Sequence, residues 1–267
     1  MNEVYYLKQA ARSFRWAAPR RTLLIRGASF FLLLFMLSFC EPVSAGGCPS
    51  AVVAKLMVKK VFNRDVNIVK IQHSPIAGLC QIQIKTDGKF QIIYTDAAGK
   101  YLIPASIFRV SDKSNLTKEK ISWLNRFTPS QFKTLDSLTV FTAGAGKTIY
   151  FITDPQCPYC KKAESALKPL IDAKIIKVKF IIFPMPFHKG SKEQSISIVC
   201  DNKGLEGLMS QYRSRNQCQQ GKDKIEKTIL FLKHKRVTGV PTYIFPDGLY
   251  HSGAISEQEL KRRLGII

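Results

Sequence analysis

The motif that most constrains the fold of this chain is a pair of cysteines placed three residues apart. Cys157-Pro158-Tyr159-Cys160 follows the apolar run Tyr150-Phe151-Ile152 and precedes a lysine-rich stretch that is predicted to be a helix. Both thiols therefore lie where a strand ends and a helix begins. Unpaired N–H groups and the positive end of the helix dipole stabilise a thiolate at such a position. Because the two thiols can also close a disulfide with each other, the motif predicts a redox-active pair.

A zinc site is the alternative interpretation of two cysteines at this spacing. A structural zinc ion needs two further Cys or His ligands, usually at a similarly short spacing. The remaining candidates are single and scattered: Cys48, Cys80, Cys200, Cys218, His73, His188, His234 and His251. We therefore predict neither a metal nor a cofactor at this motif. We assign Cys157 as the attacking thiol and Cys160 as the thiol that releases the mixed disulfide.

Residues 1–45 have the layout of a secretory signal peptide. Several arginines precede the uncharged run from Gly27 to Phe39, and small residues lie in the segment Val43-Ser44-Ala45. The apolar run is shorter than the ~20 residues that a membrane-spanning helix needs. We expect cleavage near Ala45 and a periplasmic mature protein. An uncleaved membrane anchor and a lipoprotein attached through Cys40 are the alternatives.

Removal of the leader would leave six cysteines, and an even number is typical of an exported protein with disulfides. With the redox pair set aside, four cysteines remain, and these allow three connectivities. Proximity in the sequence favours Cys48 with Cys80 and Cys200 with Cys218. The first pairing would staple a small N-terminal domain, and a second reactive thiol in that domain is the alternative.

The chain is strongly basic. Its formal charge is +22, and the leader contains six Lys or Arg and two acidic residues, so the charge of the remainder is +18. Such a charge favours anionic membrane surfaces, cell-envelope polymers or acidic clients. We expect a solvated basic surface that allows peripheral contact with an anionic membrane surface. Nucleic acid is not an expected partner, because the lysines are dispersed and no recognition motif is present.

Periodicity and composition predict two domains joined by a connector. Residues 46–110 predict one helix and a small antiparallel sheet, since apolar and polar residues alternate through 80–84 and 90–94. A domain of about 65 residues is marginal alone, so a disulfide or oligomerisation would be expected to support it. Residues 111–138 are charged and predict a partly helical linker. Residues 139–267 alternate strands and helices, which predicts an α/β domain.

Two motifs together carry a resemblance to a known family. The run Phe151-Ile152-Thr153-Asp154-Pro155-Gln156-Cys157-Pro158-Tyr159-Cys160 is followed by Gly239-Val240-Pro241-Thr242. This combination resembles a thioredoxin-fold redox domain. The stretches 74–79 and 94–101 are similar to the dimerisation domain of the DsbC/DsbG family of periplasmic thiol:disulfide interchange proteins. The resemblance therefore covers the whole mature chain.

The resemblance implies an α/β thioredoxin-like domain with a helical insertion, preceded by a small α+β N-terminal dimerisation domain and a partly helical linker. It implies a cis peptide bond between Val240 and Pro241, in a loop that would hold a client strand beside the thiols. It also implies a structural disulfide between Cys200 and Cys218. The implied partners are a second copy in a V-shaped homodimer, unfolded or misoxidised exported proteins, and a membrane reductase of the DsbD type.

The predicted function is thiol–disulfide exchange in exported clients, as an isomerase and reductase. Three alternatives stay open: a DsbA-like dithiol oxidase, a DsbG-like sulfenic acid reductase and a non-catalytic periplasmic chaperone. The dipeptide Pro158-Tyr159 is similar to that of the DsbG branch, and Val240 occupies a position where the family often has threonine. Both positions tune the redox balance of the dithiol, so they bear on the choice among these alternatives.

Overall fold

A computed structural model describes residues 47–266, so the predicted signal peptide, residues 1–45, lies outside the described part of the chain. Among the residues that the structure describes, no helix is long and apolar enough to cross a membrane.

The N-terminal part of the described chain is one helix on a four-stranded antiparallel sheet. Its elements are α1 (Ala51–Phe62), β1 (Asn67–His73), β2 (Leu79–Thr86), β3 (Lys89–Asp96) and β4 (Leu102–Ile103), and the strands lie in that order. The hydroxyl of Ser50 starts α1 by accepting the N–H of Val53 at 3.3 Å. Ala54 and Val58 of the helix pack on Ile82 of the sheet to form the core of this domain.

The predicted linker contains a short hairpin and two helices, β5 (Phe108–Arg109), β6 (Ser114–Asn115), α2 (Leu116–Leu124) and α3 (Pro129–Leu138). Helix α2 belongs to the first sheet, because the hydroxyl of Tyr94 in β3 is 2.6 Å from that of Thr117. Helix α3 starts at a capping box formed by Thr128 and Gln131. Its buried Leu135 packs with the core of the second sheet, so α3 is built into the C-terminal domain.

The second sheet has five strands in the order β11-β10-β8-β9-β7. They are β7 (Phe141–Gly144), β8 (Lys147–Thr153), β9 (Ile176–Ile182), β10 (Thr242–Ile244) and β11 (Tyr250–Ser252). Only β8 and β9 pair in parallel, and α4 (Pro158–Asp172) connects them. The central strand β8 is buried on both faces, since Phe151 packs towards α4 and Ile152 packs towards α3. The strand therefore delivers the segment after it, which contains the thiols, from the middle of the sheet.

The remaining helices are α5 (Ser191–Cys200), α6 (Gly204–Met209), α7 (Gln219–His234) and α8 (Glu257–Leu264). The first three form the helical insertion between β9 and β10. Cys200 ends α5 and Cys218 caps the N-terminus of α7, and a disulfide with a Cα–Cα distance of 5.8 Å joins them. Along the chain, a small α+β domain is followed by two linking helices and an α/β domain with a helical insertion.

Candidate active site

The two thiols of the Cys-X-X-Cys motif lie at the N-terminus of α4, directly after the central strand. Cys157 is the N-cap residue, and its Sγ accepts the backbone N–H of Cys160 at 3.3 Å. Pro158 takes the first helical position, where the missing N–H costs no hydrogen bond. The helix start therefore provides an N–H donor and the positive end of a dipole to the Cys157 sulfur.

The two sulfurs differ in their access to solvent. Both thiols are free in the structure; Cys157 is 4 % exposed and Cys160 is fully buried. Burial, together with the hydrogen bond from Cys157, raises the pKa of the Cys160 thiol. Cys157 is thus the less deeply buried of the two, and Cys160 is the one that holds its proton.

The proline loop lies beside the Cys157 sulfur. The peptide bond between Val240 and Pro241 is cis, and the Val240 carbonyl oxygen is 3.9 Å from the Sγ of Cys157. Strand β10 begins directly after this loop and pairs with β8, with Thr242 opposite Ile152. This register places the loop next to the end of β8, where the thiols begin.

A buried carboxylate fixes the turn that leads into the thiols. Asp154 is fully buried and accepts the backbone N–H of Gln156 at 2.8 Å and that of Met185 at 2.7 Å. It also accepts the Ser191 hydroxyl at 2.6 Å and pairs with Nδ1 of His188 at 2.7 Å. Four partners of one carboxylate tie the active-site turn to the segment that follows β9.

Exposed aromatic side chains lie on the two segments that Asp154 joins. Tyr159, inside the motif, is 63 % exposed, and Phe187 is 73 % exposed on the segment that Asp154 holds. The ring of Phe187 packs edge-to-face against His188 with centroids 4.6 Å apart. Lys161 and Lys162 are exposed on the first turn of α4. Exposed aromatic rings and exposed lysines therefore lie on the segments around the active-site turn.

A second carboxyl group is buried behind Cys160. Glu164 of α4 is 2 % exposed and accepts the hydroxyl of Thr153 at the end of β8. Burial raises the pKa of Glu164 to about 7. Burial also raises the pKa of Tyr243, and charge on Cys160 or on Glu164 raises it further. These groups share one poorly solvated pocket under the thiols.

The structure brings Cys157, Cys160, Val240 and Pro241 together and places the other predicted site cysteines elsewhere. Cys48 and Cys80 form a disulfide in the N-terminal domain with a Cα–Cα distance of 5.6 Å. The bridge between α5 and α7 lies in the helical insertion. Each bridge joins segments of the domain in which it lies.

Sequence reasoning gave no role to Asp154, Thr153, Glu164 or His188. For Glu164 a signal exists, because it lies four residues after Cys160 and therefore on the same face of the helix. For His188 the chain offers no local signal, since it meets Asp154 only through the path of the segment after β9.

Comparisons with known proteins agree with this architecture. The family model of the disulfide bond isomerase protein N-terminal domain matches residues 45–118, and that of the thioredoxin-like domain matches residues 136–265. A probable thiol:disulfide interchange protein DsbC of Bordetella avium is 24 % identical over 216 residues, which are 78 % of this chain and 73 % of the relative. The chain belongs to the DsbC/DsbG-like thioredoxin-fold family. It is a thiol:disulfide oxidoreductase, so the expected family, fold class and enzyme class are confirmed.

Two solved structures were also found to be similar. The catalytic domain of Proteus mirabilis ScsC is 16 % identical with a TM-score of 0.43, and the match covers 51 % of this chain and 94 % of that one. A disulfide interchange protein from Neisseria gonorrhoeae is 18 % identical with a TM-score of 0.41, and the match covers 49 % of this chain and 96 % of that one.

Proposed function

We propose that this DsbC/DsbG-family member is an exported disulfide isomerase and reductase for misoxidised envelope proteins. The observation that carries the proposal is the placement of the less deeply buried sulfur, Cys157, between a helix N-terminus and the Val240 carbonyl, with Cys160 buried behind it. The N-terminal domain matches that of disulfide bond isomerases, which supports the further proposal that it docks on a second copy.

Exchange begins when the Cys157 thiolate attacks a client disulfide. A bond forms between Cys157 and one client sulfur, and the other client sulfur leaves as a thiolate. In isomerisation that thiolate attacks another client sulfur, and a final attack on the mixed disulfide returns Cys157 as a thiolate, so no electrons are gained or lost. In reduction Cys160 gives its proton to the client and attacks Cys157, which leaves a Cys157–Cys160 disulfide and a client dithiol.

Burial of Cys160 favours rearrangement over reduction. Its raised pKa keeps the thiol protonated, so its attack on the mixed disulfide is slow. The client therefore has time to exchange its own sulfurs. After it has reduced a client, the protein itself holds a Cys157–Cys160 disulfide, which must be reduced before the next reaction. A membrane dithiol donor of the DsbD type would supply those electrons in an oxidising periplasm.

Client binding needs no sequence preference at this site. The cis-proline loop places the Val240 carbonyl beside the thiol, where it can accept an N–H of an extended client strand. Tyr159 and Phe187 offer exposed rings for apolar client residues. Backbone pairing and unspecific apolar contact together would hold misfolded chains of many sequences.

A homodimer would cover an apolar surface of the N-terminal domain. Val52, Leu56 and Val61 of α1 are 71 %, 63 % and 60 % exposed, and Val69 of β1 is 46 % exposed. Strand β1 is also an edge of its sheet, with unpaired backbone groups along one side. A second copy that docks on this domain would cover the exposed apolar side chains and the unpaired edge of β1. It would also place two redox domains on either side of a cleft.

Refolding of a scrambled multi-disulfide protein tests the proposal. The mature chain should restore native pairing, Cys157→Ser should not, and a chain that starts at residue 126 should reduce a disulfide without restoring native pairing. The shortened chain starts at residue 126 because Phe127, Leu135 and Leu138 pack on the second sheet. A chain that started at residue 139 would lack these three core side chains. Ser137→Ala, on the surface of α3, is the matched control that should behave like the parent.

Each alternative gives a different result. A chain that oxidises a reduced peptide but does not reshuffle a scrambled one would be an oxidase. A chain that reduces sulfenic acids on single cysteines but leaves scrambled disulfides unchanged would be a sulfenic acid reductase. Undiminished aggregation suppression by Cys157→Ser, with no exchange by the parent, would show a chaperone instead.

A further inference from the structure

The N-terminal domain contains a second cluster of sulfur and nitrogen atoms, apart from the Cys157–Cys160 pair. The Sγ atoms of Cys48 and Cys80 and a ring nitrogen of His73 all lie within 4.8 Å of one another. Nδ1 of His73 is 3.7 Å from the Sγ of Cys48. Cys80 is buried, Cys48 is half-buried and His73 is exposed, so the cluster is closed on the sheet side and open to solvent on the histidine side.

Strand pairing holds two members of this cluster in place. His73 is the last residue of β1 and lies directly opposite Cys80 of β2 in the antiparallel register. Side chains of directly opposite residues project from the same face of a sheet, so the imidazole and the thiol stay neighbours whether or not the disulfide is present. Cys48 reaches them from the segment before α1, and its Cα is 5.6 Å from that of Cys80.

We propose that reduction of the Cys48–Cys80 disulfide converts this cluster into a zinc site, with Cys48, Cys80 and His73 as ligands and water in the fourth position. Two thiolates, one imidazole and an open position form a donor set that zinc uses in proteins. Sulfur ligands favour zinc over hard cations such as magnesium and calcium. The exposed side of the histidine provides the entry path for the ion.

The reaction balances with a dithiol as the reductant. The dithiol gives two electrons and two protons to the Cys48–Cys80 bond and becomes a disulfide itself, while the two cysteines become thiols. Zinc then displaces one proton from each thiol and binds the neutral imidazole, so two protons are released. Disulfide and zinc exclude each other because both use the same two sulfur atoms.

Either state ties the start of α1 to β2. The disulfide does so under oxidising conditions, and the ion does so after reduction. Zinc would therefore preserve the N-terminal domain when its staple is reduced, and oxidation would release the ion. The inference concerns residues outside the Cys157–Cys160 site and does not depend on the proposed isomerase activity.

Metal binding by the reduced chain tests this site. The parent for the experiment is the mature chain with Cys157→Ser and Cys160→Ser, which removes the active-site thiols as ligands. It is reduced with dithiothreitol, freed of reductant without oxygen and titrated with Zn²⁺ against a chromophoric chelator. We expect about one zinc ion per reduced chain and none per oxidised chain. Co²⁺ in place of Zn²⁺ should give the absorption of tetrahedral cobalt bound to thiolates.

Variants separate this cluster from the other cysteine pair, which the reductant also opens. His73→Ala should weaken zinc binding at least about tenfold, because it removes one direct ligand. His234→Ala, an exposed histidine at the end of α7, is the matched control and should bind like the parent. Equal affinity of the His73→Ala variant and the parent, binding by the oxidised chain, or no binding by the reduced chain would each overturn the proposal. Since His73 is exposed, its replacement leaves the core intact and the comparison interpretable.

Discussion

The buried carboxyl group of Glu164 makes a quantitative prediction about stability and pH. Burial favours its neutral form, and the pKa rises from an ordinary 4.5 to about 7 in the folded chain. Between these two values the folded state binds more protons at this group than the unfolded state does. The free energy of unfolding is therefore not reduced by Glu164 below pH 4.5. It falls as the pH rises and the contribution of Glu164 reaches its minimum above pH 7.

The magnitude follows from the difference in pKa. A shift of about 2.5 units at about 1.4 kcal/mol per unit corresponds to about 3 kcal/mol of lost folding stability at pH 8. Glu164→Gln removes the ionisation and keeps an oxygen that can accept the Thr153 hydroxyl. We expect this variant to gain about 3 kcal/mol relative to the parent between pH 4.5 and pH 8. For a chain of this size the gain corresponds to roughly 6–12 °C in Tm.

Denaturant unfolding of parent and variant at several pH values, with the active-site thiols reduced, measures this difference. The decisive quantity is the change of the difference with pH, because a constant offset only reports how well glutamine packs. Glu193→Gln, at an exposed carboxyl group on α5, should show no pH-dependent difference. A difference between Glu164→Gln and the parent that is the same at pH 4.5 and pH 8 would refute the argument from burial.

Three further predictions follow from the contacts of the site and the insertion. Iodoacetamide should label Cys157 of the reduced chain well before Cys160, because Cys160 is fully buried with a raised pKa; peptide mass spectrometry reads the order. Asp154→Asn should lower stability by about 3 kcal/mol in thermal unfolding, since one amide oxygen cannot accept from four donors. Replacing Cys200 and Cys218 together by serine should cost about 3 kcal/mol, as expected for a loop of 18 residues, with denaturant midpoints as the measure.

Local patterns were sufficient for the elements that carry the thiols. The apolar run before Cys157 is long enough for a strand buried on both faces, and Pro158 suits the first turn of a helix, so both elements could be predicted from the sequence. The packing partner of α3 could not. An amphipathic helix shows that one of its faces is buried, but any apolar surface can cover it, and the linker lay between two such surfaces. Only the structure shows that Leu135 and Leu138 join the second sheet.

The cluster of Cys48, His73 and Cys80 shows why spacing alone could not find every candidate site. Spacing rules for metal ligands describe residues that share one turn or one tight loop. His73 and Cys80 are seven residues apart, and Cys48 is 25 residues before His73, so no such rule applies. What joins them is the register of β1 and β2, which sets residue 73 opposite residue 80, and the path of the chain, since α1 leads away from residue 48 and β1 returns to the same end of the sheet. A shift of that register by one residue would turn the imidazole to the other face and leave the two sulfurs without a third ligand.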